Sequence, residues 1–284
     1  LEARRRDPRS AAARYLLADL WLRQGRIADG LVEMAILSRL LPGGSVELVP
    51  ALSEYVRTAG ASEQLRQILS TNPRLKRPLL NALAADPDNL QLILELAGTD
   101  RGSVSGRPPP WQAKLLDSLI RDGAYGRAYA LWQRFARFAG PRPLVFNPEF
   151  RRVAAPPPFN WSFTSSGAGF AEPENGTMRV LYYGRANATL ASQLLLLPSA
   201  AYRLSVPISG APAPRSLAWS VSCMPSGQTL VALELAPSAT ARGTFKVPAA
   251  DCPAQALELK GLAQDMAQES DVRVGPIALE RVGR

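Results

Sequence analysis

The 284-residue chain contains no histidine and only two cysteines. The lack of imidazole excludes Ser–His and Cys–His catalytic pairs, zinc sites that need histidine, and haem held by a proximal histidine. Neither a Gly-x-x-x-x-Gly-Lys phosphate loop nor a Gly-x-Gly-x-x-Gly fingerprint is present. No run approaches the ~20 apolar residues of a membrane span, and the four leucines at 194–197 are closed by Pro198. Because the chain begins at Leu1, we expect it to be a segment of a longer protein, with any export signal upstream.

Lysine is also scarce, although the chain is basic overall. It carries 33 Lys+Arg against 24 Asp+Glu, a formal charge of +9, and only Lys76, Lys114, Lys246 and Lys260 are lysines. The arginines are spread along both halves, and the single run at 4–6 is typical of a solvated terminal turn. Nucleic-acid binders concentrate basic charge on one face among aromatic residues. The sequence therefore predicts no nucleic-acid partner and only a general attraction to acidic polymers or membrane surfaces.

The first half of the chain has the apolar periodicity of helices. Leu16, Leu17, Leu20 and Trp21 form an apolar stripe at helical spacing, and Gly25 ends that helix. Later helices are delimited by glycine, by proline and by a polar loop at 99–110. They are predicted over residues 27–40, 45–59, 62–71, 75–85, 88–98, 111–120 and 125–138.

Pro8 and Pro42 lie 34 residues apart, which is the period of a tetratricopeptide repeat. Residues 9–42 resemble that family at several positions, and residues 119–128 repeat the helix–turn–helix order. The matching positions in the first repeat are Leu17, Ala18, Trp21, Gly25, Gly30 and Leu37. The resemblance implies an all-α solenoid that contacts a protein partner along its surface. Ordinary antiparallel helix pairs are the alternative.

The second half of the chain is typical of an all-β domain. Sixteen of the 25 prolines lie in residues 141–284, and that density excludes long helices. Short alternating runs predict about ten strands in antiparallel sheets packed face to face. These strands are predicted over residues 159–164, 169–171, 178–184, 190–197, 202–208, 217–223, 229–235, 243–247, 257–259 and 272–279. The predicted organisation is a helical domain at 1–140, a linker at 141–146 and a β-sandwich at 147–284.

Residues 147–282 resemble a carbohydrate-binding module of the galactose-binding-like jelly-roll type. The match rests on the order of an Asn-x-x-Phe opening at 147–150, a strand with Trp161, a Pro-turn-Tyr segment at 192–205 and a closing strand at 272–279. The resemblance implies an antiparallel jelly roll that binds a polysaccharide without catalysis.

Two departures from that family concern its calcium site. Arg151 stands where a glutamate is usual, and Gly275 and Pro276 replace an acidic pair in the closing strand. Calcium needs several oxygen ligands, and these changes remove the expected ones. We therefore expect no metal and no other cofactor.

A sugar site combines aromatic rings with polar groups that bond hydroxyls. The candidate ligand-binding residues are Arg179 and Tyr183 on one strand, Gln193 on the next, and Trp161. For Arg179 and Tyr183 the alternative is an ordinary solvated sheet face, and for Trp161 it is the core.

The two cysteines, Cys223 and Cys252, both fall in the β half. A disulfide between them would stabilise the fold by roughly 3–4 kcal/mol, and two buried free thiols are the alternative. A disulfide favours an exported protein, here in the periplasm or at the surface of a Gram-negative bacterium.

Paired carboxylates for glycoside hydrolysis are not evident. Glu172 and Glu174 are the one close pair in the β half, and they fall in a predicted turn. The sequence thus predicts a binding or scaffold protein and not an enzyme, with helical repeats for a protein partner and a jelly roll for an exported polysaccharide. The alternative is a structural or assembly subunit of a secretion or cell-envelope complex whose β domain binds no sugar.

Overall fold

The chain forms two compact units, Leu1–Asp122 and Gly123–Arg284. The sequence predicts a boundary at residue 140, so the division falls one helix earlier than expected. The predicted helix at 45–59 lies outside the described residues apart from Val56. A computed structural model describes residues 7–41, 56, 61–98, 108–153, 155–237 and 239–283.

The first unit is helical, which confirms the predicted class of this half. Its described helices are α1 (Ala11–Arg23), α2 (Ile27–Leu40), α3 (Ala61–Thr71), α4 (Lys76–Leu83), α5 (Leu90–Ala97) and α6 (Pro110–Arg121). Single 3-10 turns at Pro73–Leu75 and Pro87–Asn89 lead into α4 and α5, and proline starts both because the first helical position needs no N–H. The tetratricopeptide register of these helices stays a prediction.

Helices α1 and α2 pack closely around a glycine. A Cβ added at Gly30 would lie 2.8 Å from the side chain of Leu22, so a larger residue here would have to displace that side chain. The predicted stripe on α1 is wrong in two positions, since Leu16 and Leu20 are 66% and 46% exposed. Helix α1 buries only one face against its partner, and Leu16 and Leu20 lie outside that face. The buried residues of α1 are Ala13, Leu17, Ala18, Trp21 and Leu22.

A buried ion pair also joins these two helices. The Arg14 guanidinium lies 2.6 Å from the Glu33 carboxylate, and the two side chains are only 12% and 1% exposed. Because both charges are largely removed from water, each depends on the other for stability.

The second unit begins with a helix and continues as an all-β domain. The helix is α7 (Tyr125–Ala136). The strands that follow are β1 (Ser162–Phe163), β2 (Ser165–Ser166), β3 (Gly169–Glu174), β4 (Thr177–Tyr182), β5 (Ala188–Leu195), β6 (Ala201–Gly210), β7 (Leu217–Met224), β8 (Thr229–Glu234), β9 (Thr240–Lys246), β10 (Ala254–Gly261), β11 (Ser270–Val274) and β12 (Ala278–Arg281).

These strands form two antiparallel sheets. The five-stranded sheet has the order β1-β5-β10-β7-β8, and the seven-stranded sheet has the order β12-β6-β11-β4-β3-β2 with β9 on the other edge of β6. On β4 the residues Met178, Val180 and Tyr182 are buried and alternate with outward ones, as the sequence predicts. Trp219 is fully buried and belongs to the core.

Helix α7 belongs with the sandwich because aromatic side chains hold it there. Trp132 is 0% exposed, and its Nε1–H donates to the Pro156 carbonyl at 2.8 Å. Its ring centroid lies 4.8 Å from that of Phe146 and 5.9 Å from that of Phe159. This packing places the last predicted helix of the N-terminal half inside the second unit.

A disulfide joins Cys223, near the end of β7, to Cys252, just before β10. Their Cα atoms are 4.9 Å apart and both residues are buried. The predicted pairing is therefore confirmed.

Candidate ligand-binding surfaces

The outer face of the five-stranded sheet carries a row of polar and small residues that crosses all five strands. Residues paired directly across an antiparallel sheet share one face, so the register defines the row. It consists of Ser162, Ser192, Glu258, Ser220 and Ala232. The adjacent register positions, which include Leu259 and Trp219, lie in the core. We call this set of outward residues the Ser220 row.

The hydroxyl at the centre of the row has no partner. Ser220 is 5% exposed, and among the described residues its Oγ makes no hydrogen bond. Glu258 lies directly opposite Ser220, but its carboxylate pairs with Lys260 at 3.1 Å. The side chains of Glu258 and Lys260 are 23% and 39% exposed. A buried hydroxyl thus lies beside an accessible acid and an accessible amine, all of which can bond ligand hydroxyls.

The outer face of the seven-stranded sheet is charged, and its charges pair with each other. The Arg179 guanidinium donates to Asp271 at 3.1 Å and lies 5.8 Å from the ring of Phe170. This hydrogen bond and the Asp271 charge raise the pKa of Arg179. Arg273 on β11 donates to Glu174 on β3 at 2.9 Å, across the intervening strand β4. A ligand here would therefore compete with existing ion pairs.

The structure does not bring the four predicted ligand-binding residues together. Arg179 lies on the seven-stranded sheet, and Tyr183 is half-buried just after the same strand, β4. Gln193 lies on β5 of the other sheet. Trp161 is 4% exposed and donates its Nε1–H to the Asn147 carbonyl. Whether Arg179 or Tyr183 contacts a ligand stays a prediction.

Gln193 is buried because the strand register turns it inward. It pairs with Leu257 in a core position and is 2% exposed. Its amide accepts from the Phe146 N–H at 2.9 Å and donates to the Phe146 carbonyl at 2.8 Å. Sequence alternation alone suggested an outward polar residue, whereas this glutamine satisfies the backbone of a segment 47 positions away.

The polar side chains of the opening motif at residues 147–150 are engaged in contacts with Arg151. The Asn147 side chain accepts from the Arg151 N–H, and Glu149 pairs with the Arg151 guanidinium. Within the described ranges, no group of three or more His, Cys, Asp or Glu could hold a metal ion. Glu172 and Glu174 lie on strand β3 and not in the predicted turn.

Among the described helices, none is long and apolar enough to cross a membrane.

No protein-family model matches the chain, and no curated protein matches it. Among solved structures it is similar to a CBM4 carbohydrate-binding module, at 11% identity over 52% of this chain and 97% of that one, with a TM-score of 0.35. A second is the N-terminal cellulose-binding domain of a Cellulomonas fimi β-1,4-glucanase, at 18% identity over 45% of this chain and 92% of that one, with a TM-score of 0.30. A third is the Gap123 glycosylation-associated protein complex from Streptococcus agalactiae, at 14% identity over 42% and 41%, with a TM-score of 0.32. Likenesses of this degree say nothing of what this chain binds.

Proposed function

We propose that the second unit is a non-catalytic, jelly-roll glycan-binding module whose ligand lies across the Ser220 row. The observation that carries this proposal is the buried Ser220 hydroxyl, which has no partner in the described chain. An unpaired buried hydroxyl costs stability, and a hydroxylated ligand would remove that cost. The Ser220 row contains small residues, which would let a sugar ring approach the sheet.

The polar groups around Ser220 suit a neutral sugar. Glu258 accepts hydrogen bonds, Lys260 donates them, and the Ser192 hydroxyl can do both. No aromatic side chain shares this outer face in the five described strands, so ring stacking does not contribute. Binding by hydrogen bonds alone implies weak affinity for each sugar and a gain from several contacts along a polymer.

The rest of the chain fits a protein outside the cytoplasm that holds other components together. The buried disulfide is typical of exported proteins, here of the periplasm or surface of a Gram-negative bacterium. The helical unit, as a tetratricopeptide-like solenoid, would contact a protein partner. Leu16 and Leu20, exposed one turn apart on α1, are the residues we assign to that contact.

The test is affinity electrophoresis of the full chain through gels that contain neutral polysaccharides. We expect retardation by at least one of them, and Ser220→Leu should abolish it because the larger side chain fills the row. Ser205→Leu is the matched control, since Ser205 lies on the outer face of the other sheet, between Ala278 and Arg242. An Arg179→Ala/Tyr183→Ala variant tests the second face.

The outcomes separate the two faces. Loss of retardation with Ser220→Leu alone supports the Ser220 row. Loss with the Arg179 and Tyr183 changes alone moves the site to the seven-stranded sheet. If no polysaccharide retards the protein, the glycan-binding proposal is wrong.

A second candidate function is an assembly role in a secretion or cell-envelope complex, without sugar binding. The lack of an aromatic platform on the Ser220 row and the closed ion pairs around Arg179 favour it. In that case Leu16→Glu/Leu20→Glu should weaken capture of a partner from the source cell envelope, while Ser220→Leu has no effect.

A further inference from the structure

An open depression of about 500 Å³ lies where helix α7 begins. It belongs to the second unit and is separate from the Ser220 row. Its lining residues are Gly123, Ala124, Tyr125, Gly126, Arg127, Arg142, Leu196, Leu197, Pro198 and Pro253. That volume is large enough for one or two sugar rings.

The polar part of this lining is cationic. Arg127 and Arg142 are both exposed, and neither is paired with a carboxylate in the part of the chain that the structure describes. The guanidinium of Arg142 lies 5.7 Å from the ring centroid of Tyr129, which orients it without neutralising it.

A third arginine, Arg281 on β12, lies opposite Tyr202 on β6. Burial raises the pKa of Tyr202, whereas the charges of Arg281 and Arg142 lower it, so both guanidinium groups lie near this hydroxyl. The Tyr202 hydroxyl donates to the carbonyl of Pro198, one of the lining residues, at 2.8 Å.

The first turn of α7 supplies further donors. Its N-cap, Ala124, has no side-chain acceptor, and the turn contains no acidic residue. The first N–H groups of a helix have no partner within the helix, and the helix dipole favours an anion there. A Cβ at Gly126 would meet nothing within 4 Å, so the backbone is approachable at this point.

Tyr125 provides an independent sign of a ligand. It lines the depression and is only 5% exposed, yet its hydroxyl has no hydrogen-bond partner among the described residues. Since the hydroxyl is not among the fully covered unpaired groups, part of it is exposed to solvent. Burial raises the pKa of Tyr125, so the hydroxyl stays protonated and can donate at neutral pH.

The remaining walls are apolar. Leu196, Leu197, Pro198 and Pro253 offer aliphatic surface that suits the C–H face of a sugar ring. A nucleobase would need flat aromatic partners, and Tyr125 is the single aromatic residue in the lining. The combination of arginine charge, backbone donors and aliphatic walls thus favours an acidic saccharide over a nucleic acid.

We infer that this depression binds the carboxylate of an acidic sugar residue in a polysaccharide. Arg127 and Arg142 are its charge partners, and the Tyr125 hydroxyl and the first N–H groups of α7 are additional donors. The inference rests on the proposed glycan-binding function and adds a second site, whose ligand has its own chemical class.

The test is calorimetric titration of the full chain with oligogalacturonate and, in parallel, with a neutral galacto-oligosaccharide of the same length. We expect tighter binding of the acidic oligomer. An Arg127→Gln/Arg142→Gln variant should lose at least about tenfold in affinity for it, because hydrogen bonds to charged groups are the stronger kind. Tyr125→Phe should lose about tenfold, because its hydroxyl donates to a charged carboxylate.

The matched control removes two positive charges elsewhere on the same unit. Arg134 lies on α7, and Arg152 lies in the segment before β1. Both are exposed and lie outside the depression. An Arg134→Gln/Arg152→Gln variant should bind the acidic oligomer as the unchanged protein does. Circular dichroism and thermal unfolding of each variant check that the fold is retained.

Several outcomes would overturn the inference. One is an equal loss of affinity for the acidic oligomer in the two double variants, which would mean general charge attraction. Another is equal affinity of the unchanged protein for the acidic and the neutral oligomer. Inorganic phosphate and dextran sulfate serve as further probes, and binding of either without oligogalacturonate would also overturn it. If the acidic preference is absent while Ser220→Leu still abolishes retardation by a neutral polysaccharide, the inference fails and the proposed function stands.

Discussion

The two units bury their cores with different kinds of residue. The described core of the helical unit is mainly leucine and alanine at helical spacing, with Trp21 and Trp111 as its large aromatic members. The β unit places aromatic rings at its centre and adds a disulfide. Its key contacts join distant residues, such as Trp132 with the Pro156 carbonyl. The first core follows from local periodicity, whereas the second depends on long-range pairing.

The largest effect should come from the aromatic contacts that attach α7 to the sandwich. Trp132→Ala removes a fully buried indole and its hydrogen bond to Pro156, so we expect a loss of about 3–5 kcal/mol in the free energy of unfolding. Hydrogen exchange measured by mass spectrometry should show the loss in residues 123–284. Trp21→Ala is the matched control and should act on the helical unit. Equal loss of protection in both units would contradict the division at residue 122.

The disulfide should rank next. Cys223→Ala/Cys252→Ala opens a loop with a sequence separation of 29 and should destabilise the β unit by about 3–4 kcal/mol in the chain-entropy model. Denaturant unfolding of this variant, and of the unchanged protein with and without reductant, measures the effect. If reductant also lowers the denaturant midpoint of the double variant, the loss of stability caused by reductant does not come from this disulfide.

The sequence predicted the fold best where one residue decided one local feature. Gly25 and Pro73 were enough to place helix ends, and the alternation in β4 was enough to place its buried face. Two cysteines allow one pairing only, but the sequence left two free thiols as the alternative, and the structure shows the bond. Leu16 and Leu20 were misplaced because a helical stripe does not show which of its edges a partner covers.

The candidate sites were much harder to predict, because they depend on register and on distant segments. The inward position of Gln193 follows from its pairing with Leu257, which local alternation does not contain. The Ser220 row needs the pairing of five strands. The depression at α7 combines residues from 123 to 253, and no motif in the sequence connects them.

The buried ion pair of the helical unit should give a smaller effect. Glu33→Gln keeps the shape of the side chain but leaves Arg14 without its counter-charge, so we expect a loss of about 1.5–3 kcal/mol. Asp29→Asn is the control, since it breaks the exposed pair with Arg26 and should cost under about 0.5 kcal/mol. Denaturant unfolding should rank the two variants in this order. Similar losses in both would show that burial does not strengthen the Arg14–Glu33 pair.

The smallest effect should be an opposite response of the two units to alkaline pH. In the helical unit, burial and then the charge of Arg121 lower the pKa of Lys114. The unfolded chain therefore holds more protons between that lowered pKa and the usual 10.5, and stability rises with pH in this window. In the β unit, burial raises the pKa of Tyr129, Tyr182 and Tyr202 above 10.0, so the unfolded chain ionises first and stability falls above that pH.

Tyr129→Phe is the sharpest variant for this comparison. The Tyr129 hydroxyl is buried without a partner among the described residues, so its removal takes away a titrating group and no hydrogen bond. We expect a shallower fall in stability above pH 10, the usual pKa of tyrosine, and no loss of stability at neutral pH. Lys114→Gln should instead remove the rise in stability that occurs between the lowered pKa of Lys114 and pH 10.5. Denaturant unfolding at a series of pH values measures both slopes, and an unchanged slope in Tyr129→Phe would mean that this hydroxyl does not titrate differently in the folded and unfolded chain.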